Sequence, residues 1–213
     1  MNGFASKHRK YIIEFIGTFF LVLTIGLSGG NALAIGAVLA AMVYMGGYIS
    51  GAHYNPAVTL AILIQKKIRR NEAAIYMLVQ LAAAIIAAGV YQAVHGGKMV
   101  VGPGANVGWG AALLVEIIFT FALVSVVLHT AVSKKTSGNS YYGLAIGFVL
   151  VAAVFAGGAI SGGAYNPAVG LGPNLYDLGS LSDNVANTWL YLIGPFVGGL
   201  LATLVFTATT TEK

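Results

Sequence analysis

Charged residues and cysteine are what this sequence most clearly lacks. Only 8% of its 213 residues are charged, whereas 58% are apolar. A water-soluble domain carries about a quarter charged residues, so this chain has too few charges to cover a surface in contact with water. The absence of cysteine excludes disulfides, thiol chemistry and thiolate metal sites. The composition therefore predicts a protein embedded in a lipid bilayer.

The few basic residues fall almost entirely on one side of the predicted topology. Those before the first apolar run and in two later connections are Lys7, Arg9, Lys10, Lys66, Lys67, Arg69, Arg70, Lys134 and Lys135. Only Lys98 falls in a loop of the opposite set. This asymmetry predicts that both termini and the basic loops are cytoplasmic. Nucleic-acid binding would need a solvated basic face with stacking aromatic residues, so no nucleic-acid partner is expected.

Six apolar stretches reach the length of about 20 residues that crosses a bilayer. They are approximately 11–28, 32–50, 73–95, 109–132, 141–160 and 187–208. Glu14 interrupts the first stretch and no small-residue cleavage site follows, so we interpret it as a retained span rather than a secretory signal. Two further apolar segments, 55–65 and 166–175, have about half that length. The predicted fold is an all-α membrane protein of six transmembrane helices plus two half-helices.

The two halves of the chain repeat one another. A shift of 111 positions lays residues 33–60 on 144–171 without a gap, and Glu14 also corresponds to Glu116. Because each half contains three full spans, the second half begins on the opposite side of the membrane. Broken segments at matching positions of such a repeat point to a site at the midplane. The predicted bounds are 1–213 for a single domain and about 11–100 and 109–208 for its inverted repeats.

Each half-helix begins with the tripeptide Asn-Pro-Ala. The two copies are Asn55-Pro56-Ala57 and Asn166-Pro167-Ala168. Two helix N-termini meeting at the midplane, each with about half a positive charge, would raise a barrier to cations. The two asparagine amides would donate hydrogen bonds to a passing oxygen and so interrupt a proton wire. Simple helix capping by asparagine is the alternative, and the matching positions in both halves argue against it.

The segment Ser50-Gly51-Ala52-His53-Tyr54-Asn55-Pro56-Ala57-Val58-Thr59 resembles the first signature of the aquaporin, or major intrinsic protein, family. Gln80 and the run Gly194-Pro195-Phe196-Val197-Gly198-Gly199 are similar to the family as well. The resemblance implies an hourglass pore in each subunit of a homotetramer. It also implies that Glu14 and Glu116 brace the two non-helical loops through backbone N–H groups. His53 would face the pore, with a packed loop histidine as the alternative.

The sequence departs from the family immediately after the second Asn-Pro-Ala, where Val169 replaces the usual arginine. In the family that arginine forms a selectivity filter with three other positions. Carried over by distance from the motifs, the resemblance places this filter on Ile35, Val154, Gly163 and Val169. This set matches neither a water filter nor a glycerol filter. Loss of a guanidinium removes a fixed charge and five donors, so we expect a wider, more apolar filter. The predicted function is passive passage of water and small uncharged solutes such as ammonia, urea, small polyols or metalloid acids.

Two other functions remain open from the sequence. The missing arginine would suit an ion-leaky pore, and the inverted repeat would suit a secondary transporter, although only Glu14 and Glu116 could couple ions. An enzyme is not expected, because no nucleophile–base pair, metal-ligand cluster or phosphate-binding loop is apparent. No cofactor or metal is expected either. Compact loops suit a multi-pass protein of a bacterial or archaeal cytoplasmic (inner) membrane, in contact with the lipid bilayer.

Overall fold

The chain forms a bundle of helices. The structure, a computed structural model, describes residues 4–176 and 188–210. The helices in those ranges are α1 Phe4–Leu27, α2 Ala32–Ser50, α3 Pro56–Ile64, α4 Arg70–His95, α5 Trp109–Val127, α6 Tyr142–Ser161, α7 Pro167–Tyr176 and α8 Leu190–Thr209. A π-helical turn, Leu128–Val132, extends α5, and a short 3₁₀ turn, Lys134–Thr136, follows it. Neither described range contains a β-strand, which confirms the predicted all-α class.

Six of these helices are long and apolar enough to span a membrane: α1, α2, α4, α5, α6 and α8. They coincide with the six predicted stretches, and α2 has the predicted bounds of 32–50. Helix α4 begins three residues before the predicted position 73, at Arg70. The first turn of α4 is polar, so the apolar stretch used for the prediction begins only after it. The helix itself extends beyond the apolar stretch. Residue 187, the predicted start of the last stretch, lies outside the described residues.

The two half-helices, α3 and α7, begin at the prolines of the Asn-Pro-Ala segments. Proline is accommodated in a first turn because its missing N–H has no partner there anyway. The side chain of Asn55 caps α3 by accepting the N–H of Ala57 at 2.8 Å. Asn166 caps α7 in the same way, through the N–H of Ala168 at 2.9 Å. Both half-helices therefore start directly after the asparagines of the predicted Asn-Pro-Ala segments.

Glycines allow the two repeats to pack closely along α2 and α6. A β-carbon on Gly147 would lie 2.8 Å from the Ala40 Cβ, and it would also overlap the Gly36 carbonyl oxygen. Gly36 and Gly147 are equivalent positions of the repeat, so the same contact is made from both sides. On α8, a β-carbon on Gly198 would lie 2.8 Å from the backbone nitrogen of Phe121. These glycines therefore serve packing between helices of one subunit.

Replacing Gly147 by alanine should destabilise the bundle, because the added methyl group would collide with α2. Overpacking of this kind costs about 1–3 kcal/mol. Gly110→Ala on α5 is the matched control, since no atom lies within 4 Å of its β-carbon position. Thermal unfolding in detergent, followed by tryptophan fluorescence, should show a lower midpoint for Gly147→Ala only. Equal midpoints for the two variants would contradict the close contact of α2 with α6.

Candidate functional site

The N-termini of α3 and α7 meet in the middle of the bundle. The Nδ2 of Asn55 donates a hydrogen bond to the carbonyl of Tyr165, and the Nδ2 of Asn166 donates one to the carbonyl of Tyr54, both at 2.9 Å. These crossed bonds tie the two half-helices together. An amide nitrogen carries two hydrogens, so each asparagine has a second N–H beyond this bond. Both asparagines line a central cavity, where that N–H can meet a solute oxygen.

The carboxylate of Glu14 holds the loop that precedes α3. One oxygen accepts the Ser50 hydroxyl at 2.7 Å and the N–H of His53 at 2.9 Å. The other accepts the N–H of Tyr54 at 2.7 Å and the amide of Gln80 at 2.9 Å. Four donors thus surround a fully buried carboxylate, which compensates for its removal from water.

Glu116 holds the second loop with nearly the same geometry. Its carboxylate accepts the Ser161 hydroxyl at 2.7 Å and the N–H groups of Ala164 and Tyr165 at 3.0 and 2.7 Å. Tyr76 and Tyr191 make equivalent bonds in the two halves. Pro195 lies four residues after Tyr191, as Gln80 lies four residues after Tyr76, so Glu116 lacks the fourth donor. Within residues 4–176 and 188–210, neither glutamate forms an ion pair. Both carboxylates are therefore bound by the loops themselves rather than by a counter-ion.

The two loops adopt backbone conformations that non-glycine residues rarely take. Ala52, Tyr54 and Tyr165 have φ angles of +52°, +50° and +47°. Such conformations persist only where the surroundings impose them, as the two glutamates do here. In a trans peptide the carbonyl points away from the N–H, so the carbonyls of Ala52 and His53 point away from Glu14. Both residues line the central cavity, whose wall thus gains carbonyl acceptors.

The central cavity is a narrow, mostly apolar lumen. Its volume is about 20 Å³, which is enough for only one or two waters in file. The wall opposite the half-helices is formed by apolar side chains of four helices, including Leu21, Ile35, Leu39, Leu123, Ile146 and Leu150. A solute in this lumen therefore meets hydrocarbon on one side and the asparagines and loop carbonyls on the other.

Each end of the lumen opens into a wider cavity. The glycine-lined mouth, with Gly29, Gly30, Gly158 and Gly162, has a volume of about 250 Å³. The lysine-lined mouth, on the side of Lys67 and Lys134, consists of adjoining cavities of about 370 and 450 Å³. Two wide mouths joined by a narrow lumen give the passage an hourglass form.

The four predicted filter residues lie along this passage. Ile35 and Gly163 line both the central lumen and the glycine-lined mouth. Val154 lines the mouth, and Val169 lines the lumen. Of the other residues in the Asn-Pro-Ala segments, Pro56, Pro167 and Ala168 line a separate apolar groove between α4 and α8, and Ala57 is fully buried.

His53 is packed against neighbouring side chains and also lines the lumen. It therefore combines features of the predicted pore-facing histidine and of the alternative, a packed loop histidine. Its Nδ1 lies 3.1 Å from the Thr59 hydroxyl. That hydroxyl also donates to the carbonyl of Asn55 at 3.0 Å and accepts the amide of Gln80 at 3.1 Å. The second ring nitrogen, Nε2, is not used in this contact. Nε2 faces Gly51, at the lysine-lined mouth.

Several residues that hold the helix ends and loops in place were not predicted from the sequence. The Tyr76 and Tyr191 hydroxyls donate to the carbonyls of Ser50 and Ser161 at 2.8 and 2.6 Å, which fixes the ends of α2 and α6. Both tyrosines lie at matching places in the third span of their repeat. The repeat could have indicated them, but both lie outside the aligned segments 33–60 and 144–171. Asn174 binds both the N–H and the carbonyl of a loop residue before α5, Val101. Nothing in the sequence indicated this contact.

Comparisons with known proteins agree on one family. The model of the family described as major intrinsic protein matches residues 26–206. The chain is 34% identical to glycerol uptake facilitator protein-like 6 of Lactiplantibacillus plantarum, with 91% of this chain and 94% of the relative covered. It is 33% identical to aquaporin AqpM of Methanothermobacter thermautotrophicus, with 97% and 99% covered. The aquaglyceroporin structure from Plasmodium falciparum superposes with a TM-score of 0.82 at 21% identity, covering 94% of this chain and 96% of that one.

Replacing Glu14 by glutamine should destabilise the protein, because the new amide would turn an N–H group toward loop donors. One buried donor left without an acceptor costs about 1–3 kcal/mol. Glu72→Gln is the matched control, since Glu72 pairs with Lys10 at the partly exposed rim, where an ion pair contributes about 0–1 kcal/mol. Thermal unfolding in detergent should separate the two variants. A Glu72→Gln midpoint as low as that of Glu14→Gln would contradict the bracing role.

Proposed function

The chain belongs to the major intrinsic protein family, and from this we propose that its pore passes small uncharged solutes in addition to water. The coarse function follows from the family: the protein is a multi-pass membrane channel for water and small solutes. The finer proposal concerns the solutes and the filter that selects them.

The observation that carries the proposal is the residue after the second Asn-Pro-Ala. Val169 is 2% exposed and lines the narrow lumen without any polar atom on its side chain. No Lys, Arg, Asp or Glu is among the described residues that line this section. For an uncharged solute with apolar surface, the free-energy cost of leaving water is therefore lower here than beside a guanidinium. Selection by size outweighs selection by hydrogen-bond pattern.

Small polyols, urea, ammonia and metalloid acids are the solute classes that fit such a filter. Each is neutral, and each can bond to the asparagine amides and the loop carbonyls while its other side faces hydrocarbon. The name of the Lactiplantibacillus plantarum relative, a glycerol uptake facilitator-like protein, supports polyols as the first class to examine.

Exclusion of ions rests on the two half-helices in this proposal. Their N-termini each present about half a positive charge to the lumen, and half-helix dipoles exclude cations in other pores. An ion-leaky pore is the second candidate, favoured by the missing arginine alone. Coupled transport has less support, because each oxygen of Glu14 and Glu116 already accepts at least one hydrogen bond from a loop or helix donor.

The proposal also covers the orientation of the protein in the membrane and its assembly. The lysine-lined mouth would face the cytoplasm together with both termini, in the cytoplasmic (inner) membrane, as the distribution of basic residues predicts. The protein would assemble as a homotetramer with one pore per subunit. Exposed aromatic residues on α6, such as Phe148 and Phe155 at 60% and 74% exposure, support a neighbouring subunit or lipid on that face.

Reconstituted protein should admit water and small neutral solutes. In stopped-flow light scattering, proteoliposomes should shrink and reswell faster than protein-free liposomes when glycerol or urea is the osmolyte. Fast water movement without any solute uptake would contradict the proposed filter.

Arginine at position 169 should narrow the solute range, since it restores a charge and fills the lumen. We expect Val169→Arg to slow glycerol uptake relative to water by about tenfold, equivalent to about 1.4 kcal/mol of barrier. Val169→Leu is the control for added volume without charge, and it should have a smaller effect. An unchanged solute profile in Val169→Arg would contradict the assignment of residue 169 to the filter.

Ionic currents distinguish the second candidate. Planar bilayers containing the wild-type protein should show no more current than protein-free bilayers, because the barrier at the half-helix N-termini is intact. A current that Val169→Arg abolishes would instead favour the ion-leaky pore.

A further inference from the structure

Every proposed filter residue has a counterpart in the other repeat. The repeat shift of 111 positions pairs Ile35 with Ile146, Val43 with Val154, Ala52 with Gly163 and Val58 with Val169. The chemistry is nearly conserved in each pair: isoleucine with isoleucine, valine with valine, and one small residue with another. Val169 is thus identical to its counterpart, whereas an arginine there would have made the two ends of the pore different.

The counterparts lie where the lumen meets the lysine-lined mouth. Ala52 and Ile146 line both the central lumen and this mouth, as Gly163 and Ile35 do at the opposite end. Val43 lines only the mouth and Val58 only the lumen, which is again the arrangement of Val154 and Val169. The lumen therefore meets its two mouths at equivalent places, lined by equivalent side chains.

We propose that Val43, Ala52, Val58 and Ile146 form a second specificity-determining constriction, the inner ring. It acts in series with the outer ring of Ile35, Val154, Gly163 and Val169. This inference deepens the proposed function and rests on it, because the outer ring is the proposed filter. A solute must pass both rings and the asparagine pair between them.

The two rings differ in one polar group. His53 presents its Nε2 near Gly51, at the inner end of the lumen, whereas the equivalent residue of the other half is Ala164. The inner ring therefore favours neutral solutes that can hydrogen-bond to an imidazole nitrogen, such as polyols or urea. The outer ring discriminates mainly by size.

Two equal barriers in series give a distinctive response to mutation. Removing either one halves the total resistance at most, so a single opening raises permeability by no more than about twofold. Removing both leaves only the central section, and permeability then exceeds the product of the two single effects. A single filter would instead respond fully to one substitution and not at all to the other.

The test compares Ile35→Ala, Ile146→Ala and the double variant in proteoliposomes, with glycerol and the larger polyol erythritol as probes. We expect up to about a twofold rise in erythritol permeability for each single variant, and for the double variant a rise that exceeds the product of the two single rises. Ile86→Ala, a half-exposed position on α4 at 49%, is the matched control and should leave permeability unchanged.

A second pair of variants covers the case in which an alanine variant fails to fold. Val43→Phe and Val154→Phe add a ring at equivalent places, one in each mouth, and each should reduce polyol uptake relative to water. Retention of wild-type polyol uptake in Val43→Phe, together with loss in Val154→Phe, would overturn the inner ring.

The outcomes separate this inference from the proposed function. If Ile146→Ala matches wild type and the double variant matches Ile35→Ala, the inner ring is wrong while the outer filter stands. If wild type passes water but no solute, the proposed solute range is wrong. The series relation is then read from osmotic water permeability, where a rise in the double variant beyond the product of the single effects would still support the inner ring.

Discussion

The structure depends on hydrogen bonding of backbone that is not helical at membrane depth. Lipid offers no partner for exposed N–H groups, so the loops before α3 and α7 need internal acceptors. Glu14 and Glu116 provide them, each receiving two consecutive backbone N–H groups and a serine hydroxyl. The loops can then hold Tyr54 and Tyr165 at positive φ. Without these carboxylates, the half-helices would have no fixed starting point.

Fixing the loops also fixes the chemistry of the lumen. The N–H groups face the glutamates, which leaves the asparagine amides and carbonyl groups for the passage, while leucine and isoleucine side chains cover the remaining wall. The crossed bonds of Asn55 and Asn166 then hold the two half-helix N-termini together. One interaction, repeated in both halves, thus sets the loop conformation, the meeting of the two half-helix N-termini and the polar side of the lumen.

The repeat of the two halves explains the symmetry of the passage, and the positions where the halves differ explain where that symmetry is broken. Equivalent glycines, Gly36 and Gly147, bring the two halves into direct contact, and equivalent valines and isoleucines line both ends of the passage. The departures are polar: His53, Thr59 and Gln80 form a hydrogen-bonded cluster with Glu14. Their equivalents Ala164, Gly170 and Pro195 cannot form it. One half therefore carries a polar network that the other replaces by close packing.

The sequence alone determined the six spans, the half-helices, the family and the asparagine pair, because hydropathy, repeat and motif are local patterns along the chain. It also identified Glu14 and Glu116 as unusual, since carboxylates are costly in lipid. Only the tertiary structure decided which glycines pack inside the subunit, that Asn174 binds Val101, and that Nδ1 of His53 lies beside the Thr59 hydroxyl. Those features depend on contacts between residues far apart in the chain, which composition and periodicity do not encode.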